Sequence, residues 1–149
     1  MPLNPEFAGR SYPAGEAYMV GREKLREFAT AIGDHNPIFH SVVAARELGY
    51  PDVIAPPTFG SVMSSQAMNA VIFDPELGLD YSKVVHGEQR FTYSRPIVAG
   101  DSLLTAVTID NIRSAAGNDL ISVRADISTE SGEHVVTTFA TIVARGTAS

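Results

Sequence analysis

Residues 33–40 read GDHNPIFH. An acid, an amide, a proline and two histidines fall within one short stretch, directly after a segment of helical periodicity. A carboxylate beside imidazoles is the equipment of general acid–base chemistry, so Asp34 and His40 are the first candidates for proton transfer. Plainer roles compete with that one. Asp after Gly at a helix end commonly makes local turn hydrogen bonds, and Asn36-Pro37 is an ordinary turn signal. His35 reads as a solvent-facing loop residue. The i, i+5 spacing of His35 and His40 does not place both on one helix face, and no third ligand accompanies them, so no metal is expected. The chain has no cysteine, which excludes disulfides, thiolate nucleophiles and cysteine-based metal sites. His86 and His134 read as surface or strand residues, with His134 exposed beside a turn.

The elements that must position this stretch are legible on either side of it. In residues 22–32, Leu25, Phe28, Ala29 and Ile32 recur at i, i+3, i+4 and i+7, the stripe of an amphipathic helix. Gly33 is its stop signal. A short helix is predicted over 41–48, with Ser41 as N-cap and Gly49 as terminator. Residues 53–73 contain a longer helix that Pro56 and Pro57 lead into and Asp74-Pro75 closes. It carries no charge, and small residues on its outer faces let neighbours enclose it. The second half reads as antiparallel strands: 83–95, 102–112, a run from Asn118-Asp119, a turn at 130–133, and 134–145. The last run is apolar on both faces, which predicts a central strand packed on both sides. Gly87 and Gly117 read as bulge or turn glycines. Helices first and strands after give an α+β class: a long central helix held against an antiparallel sheet of four or more strands.

Bulk properties set the bounds. With 149 residues, the chain suits one domain spanning 1–149, and 44% apolar with 19% charged residues is ordinary for a globular protein. No apolar run is long enough for a membrane span, and the first residues lack a secretory pattern. A cytoplasmic location is the expectation. The net charge of −6 and the lack of a basic cluster point away from nucleic acid.

The stretch GDHNPIFHSVVAARELGYPDVIAPP, residues 33–57, resembles the motif of MaoC-like, type 2 enoyl-thioester hydratases and dehydratases, and RPIVAGDSL, residues 95–103, resembles a second motif of that family. GREKLREFA and DVIAPPTF narrow the resemblance to FAS1-like dehydratases, including HadA- and HadC-type subunits. It implies a hot-dog fold and dehydration of a (3R)-hydroxyacyl thioester, carried on acyl carrier protein or coenzyme A, with no cofactor. In the family an Asp and a His share the proton transfers, and a backbone N–H near the start of the central helix stabilises the thioester oxygen. Asp34 matches the acid, Asn36 and Pro37 the loop, and Ala45 the helix alanine. The family histidine falls on Phe39, which transfers no proton. The oxyanion glycine falls on Pro57, which has no N–H.

The resemblance therefore implies a non-catalytic, substrate-shaping subunit in fatty-acid elongation, paired as hetero- or homodimer with a MaoC-like partner. Expected substrate contacts are Asn36, Phe39, Pro57, Thr58, Phe59, Val62 and Met63; the last three fit an acyl channel and a core equally well. One alternative is a self-sufficient homodimeric hydratase or dehydratase using Asp34 and a displaced His40. Another is a module that binds acyl thioesters without converting them.

Overall fold

The computed structural model describes residues 3–148. Two short strands, β1 (Ser11–Tyr12) and β2 (Tyr18–Met19), precede helix α1 (Arg22–Ala31). Leu25 and Ala29 of α1 are buried as the periodicity requires, while Ile32 lies past the last helical residue and is half exposed. Gly33 then takes a left-handed φ of 73° that ends the helix. A 3-10 turn over Pro37–Phe39 leads to α2 (Val42–Glu47), where the Ser41 hydroxyl accepts the Ala44 N–H at 3.2 Å, the expected cap.

Helix α3 (Gly60–Ile72) begins later than the proline pair suggests, because Pro57, Thr58 and Phe59 form a turn in which the Phe59 N–H donates to the Pro56 carbonyl. Gly60, Met63, Ser64, Met68 and Val71 are its buried residues. The remaining elements are β3 (Val84–Tyr93), β4 (Ser102–Ala115), β5 (Asn118–Thr129) and β6 (His134–Ala144). Every pairing is antiparallel, in the order β1-β4-β5-β6-β3, with β2 also on β4.

The period-2 alternation of strands decides which face meets α3. Val107, Ala125, Thr138 and Phe91 stand opposite one another across the sheet and point inward, as do Ile109, Val123 and Ala140. Met68 and Val71 pack on the second of these rows, and Phe59 and Met63 on Leu103, Ile127 and Val136. The uncharged helix thus packs along the inner face of the sheet, the hot-dog arrangement expected from the sequence, but it is not enclosed all round: Ser65, Gln66, Asn69 and Ala70 on its outer side stay exposed. Burying each such Val, Leu, Ile or Phe contributes roughly 1.5–3 kcal/mol.

The sheet has six strands, within the four or more expected, because the two-residue β1 and β2 extend its β4 side. Two expectations need adjustment. β6 is an interior strand, yet past the irregular start where Val135 and Val136 are both buried, only its inward row is buried. Thr137, Phe139, Thr141 and Val143 on the other face stay half exposed, and Phe139 is covered by the Arg90 guanidinium, 4.4 Å from the ring centroid. Strand β4 runs on to Ala115, where Ala116 (φ 52°) and Gly117 (φ 79°) turn tightly into β5. Gly87 marks a register shift between His86 and Glu88, as its type suggests.

Candidate active site

The loop carrying the motif is built from local hydrogen bonds. The Asp34 N–H donates to the Ala29 carbonyl at 2.9 Å, and the Asp34 carboxylate accepts the Asn36 N–H at 3.1 Å. Asn36 accepts the Ile38 N–H at 3.2 Å and so opens the 3-10 turn. A backbone carbonyl only accepts, so the His40 ring, with Nε2 2.9 Å from the Asp34 carbonyl, donates there. The His40 carbonyl in turn accepts from Arg26 Nε at 2.8 Å. Asp34 and His40 are neighbours, but the contact between them runs through the Asp34 backbone rather than its carboxylate.

The turn drives Phe39 inward. Its ring is 6% exposed and packs with Ala29, Ile54 and Val98. The Arg22 guanidinium grips Asp52 with both carboxylate oxygens, at 2.9 and 2.7 Å, and fixes the segment that follows. That hydrogen bond is the main reason the Asp52 carboxyl sits below the usual carboxylate range. Residues 54 and 55 then pair with the 97–98 loop: the Ala55 N–H donates to the Ile97 carbonyl at 2.8 Å, and Ile54 bridges Val98. Arg95 locks that loop. Its guanidinium holds Asp101 at 2.8 and 3.0 Å and Glu133 at 3.1 Å, and donates to the Pro96 carbonyl at 2.9 Å. The Asp101 hydrogen bond raises its proton affinity further. This explains why RPIVAGD has an Arg and an Asp at its ends.

These segments enclose a pocket of about 340 Å³ lined by Phe39, Ile54, Pro57, Tyr93, Ser94 and Arg95. The two positions where the expected histidine and glycine are replaced, 39 and 57, meet in it. Tyr93 is the addition that the sequence did not announce. Its hydroxyl donates to the Pro57 carbonyl at 2.5 Å. Burial pushes the phenol up to about 12, against a smaller opposing effect of the Gly60 N–H, so it is neutral at physiological pH.

The other expected contacts are scattered. Thr58 is exposed. Phe59 is wholly enclosed, edge-on to Phe28 at 5.2 Å and Tyr18 at 6.3 Å. Val62 is half-buried. Met63 lines a separate cavity of about 310 Å³ with Tyr18, Gln66, Leu103 and Thr105. His134 departs from its expected exposure: it is half-buried, with Nδ1 at 2.5 Å from Ser94 Oγ and Nε2 at 2.7 Å from Thr137 Oγ1. Ser94 and His134 are far apart in sequence, and only the register of β3 on β6 brings them together. Among the described residues no group of His, Asp or Glu has the arrangement of a metal site, and no helix is long and apolar enough to cross a membrane.

Comparison with known proteins places these features in context. Residues 6–138 match the FAS1-like dehydratase domain region. The chain is 57% identical over 148 residues to the UPF0336 protein of Saccharopolyspora erythraea, covering 99% of this chain and 95% of that one. Among solved structures, a MaoC-like dehydratase superposes with a TM-score of 0.87 at 37% identity; the match covers 93% of this chain and 42% of that one, so this chain spans less than half of that protein's length. The HadBC (3R-hydroxyacyl-ACP dehydratase) complex from Mycobacterium tuberculosis gives a TM-score of 0.85 at 29% identity, over 92% of this chain and 96% of that one.

Proposed function

Because this chain belongs to the FAS1-like dehydratase family of MaoC-like hot-dog proteins, we propose that it is the substrate-shaping subunit of a (3R)-hydroxyacyl-thioester dehydratase of fatty-acid elongation. In this role it leaves the proton transfers to a MaoC-like partner. The observation that carries this is the convergence of Phe39, Pro57 and Tyr93 in one pocket. Dehydration requires a base for the α-proton, a proton for the departing hydroxyl, and a donor for the charge that builds on the thioester oxygen. Phe39 moves no proton. Pro57 has no N–H, and the Tyr93 hydroxyl is committed to the Pro57 carbonyl. The Asp34 carboxylate serves its own loop, and the His40 Nε2 proton serves the Asp34 carbonyl.

A partner has a place to sit. β3 is an outermost strand, bonded to β6 on one side only, and its free edge is suited to extending the sheet into another subunit. The heteromeric HadBC complex, built of chains with this fold, is consistent with that. The cavity beside Met63 would take part of the acyl chain, delivered as a thioester of acyl carrier protein or coenzyme A.

The test is an enoyl-thioester hydration assay on the chain alone and together with a MaoC-like hot-dog subunit that carries the intact Asp/His pair. The expected outcome is no turnover alone and activity in the pair. Substantial turnover by the isolated chain overturns the proposal. If that turnover is then abolished by His40→Ala, the self-sufficient enzyme using Asp34 and His40 takes its place.

A further inference from the structure

Ser94 stands on the rim of the 340 Å³ pocket, is exposed, and begins a chain of hydrogen bonds that ends on a carboxylate. Ser94 Oγ lies 2.5 Å from His134 Nδ1, His134 Nε2 lies 2.7 Å from Thr137 Oγ1, and Thr137 Oγ1 donates to Asp126 Oδ1 at 3.0 Å. The direction of every proton follows from the far end. An ionised carboxylate has no hydrogen to give, so Thr137 must donate to it. The single Thr137 proton is then spent, and its oxygen accepts from His134. That places the imidazole proton on Nε2 and leaves the Nδ1 lone pair facing Ser94. Ser94 therefore donates into a base whose tautomer is set by Asp126, itself 3.3 Å from Arg124 Nε. A hydroxyl against a base that a third group orients is the signature of an activated nucleophile.

We propose that Ser94 is a reactive serine that accepts an acyl group from a thioester seated in the adjoining pocket. Ser94 Oγ bonds to the carbonyl carbon while its proton passes to His134 Nδ1. The C–S bond then breaks, and the leaving thiolate takes that proton. Acyl thioester and serine become acyl-serine and free thiol, and water entering by the reverse of this path releases a carboxylic acid. All the Arg95 N–H groups nearby are engaged with Asp101, Glu133 and the Pro96 carbonyl. A missing oxyanion donor costs roughly 100- to 1000-fold in rate, so the expected product is a slowly formed stoichiometric adduct rather than fast turnover.

The natural acyl donor rests on the thioester function proposed above; the reactivity of Ser94 does not. A long-chain alkyl fluorophosphonate, whose phosphorus bonds Ser94 Oγ as fluoride leaves, tests the reactivity on the full chain by intact mass and peptide mapping. One adduct on Ser94 is expected, with none in Ser94→Ala. His134→Gln should label roughly 100-fold more slowly. Asp126→Asn should label at least about tenfold more slowly, because its amide can donate to Thr137 and reverse the chain. Thr137→Ser should keep the wild-type rate, and Thr137→Val should lose it; this pair decides the matter if Asp126→Asn does not fold. Melting temperatures check that the compared variants are folded. An adduct elsewhere, or wild-type labelling in Asp126→Asn and Thr137→Val, overturns the proposal. Decanoyl-coenzyme A and decanoyl-acyl carrier protein form the second arm. Phosphonate labelling without an acyl-Ser94 adduct from either thioester overturns the acyl-acceptor role. Neither arm requires dehydration, so their outcome is separate from that of the hydration assay.

Discussion

The Tyr93 hydroxyl binds a carbonyl at the very turn where a thioester oxygen would need a donor, and this one contact tests how the pocket is held. Tyr93→Phe keeps the ring and leaves the Pro57 carbonyl without its 2.5 Å partner. A hydrogen bond of this kind contributes about 0.5–1.5 kcal/mol net. The melting temperature is expected to fall by about 2–5 °C, measured by thermal denaturation. What was legible at this scale was type and spacing. Asp34, Phe39 and Pro57 sit at recognisable motif positions, and Phe39 and Pro57 share a pocket. Direction was not legible: the Asp34 carboxylate and His40 ring both close local loops, a choice made by backbone geometry. Ser94 and His134 carried no signal at all, because their contact depends on strand register.

The elements show the same division between local and non-local information. Helices α1 and α2 and the turn at 130–133 came from periodicity, caps and turn residues. Strands β1 and β2 are two residues each, too short to show a period of 2. The outer face of β6 departs from the expected burial because apolar content alone does not say what covers a strand. There the Arg90 guanidinium covers Phe139, and the rest of the face stays half exposed. The β4–β5 hairpin carries a local fault. Left-handed φ at both turn positions marks a type I′ turn, which favours Asn-Gly, and this chain has Ala116-Gly117. A Cβ-bearing residue without a polar side chain is strained in that region by roughly 1–2 kcal/mol. Ala116→Asn is therefore expected to stabilise the chain by about 0.5–1 kcal/mol, read as a higher midpoint in urea with an unchanged slope.

Across the whole molecule, one buried carboxylate joins segments from both ends of the described chain. Asp119, 2% exposed, accepts from the Leu3 N–H at 3.1 Å, Ser114 Oγ at 2.7 Å and Thr147 Oγ1 at 2.6 Å. Burial alone would raise its proton affinity, but the hydrogen bonds from Thr147, Ser114 and Leu3 outweigh burial and hold it below the ordinary 3.8. The folded state thus binds this proton less readily than the unfolded chain. The resulting stability is fully present above the ordinary carboxylate range and is lost as pH falls through the folded value. Asp119→Asn removes the charge and weakens all three contacts, which should cost about 1–3 kcal/mol at pH 7, or a melting temperature lower by about 3–10 °C. The same substitution should make stability less sensitive to acid. Wild-type melting temperature should drop more steeply than the variant's below about pH 4, so the two curves converge. Some slope persists in the variant, because Asp52 and Asp74 are also held below their ordinary values, chiefly by hydrogen bonds from Arg22 and Tyr12. Parallel curves for the two proteins from pH 7 down to about pH 3 would place the acid-sensitive proton on some other group than the one that ties residues 3 and 147 to the sheet.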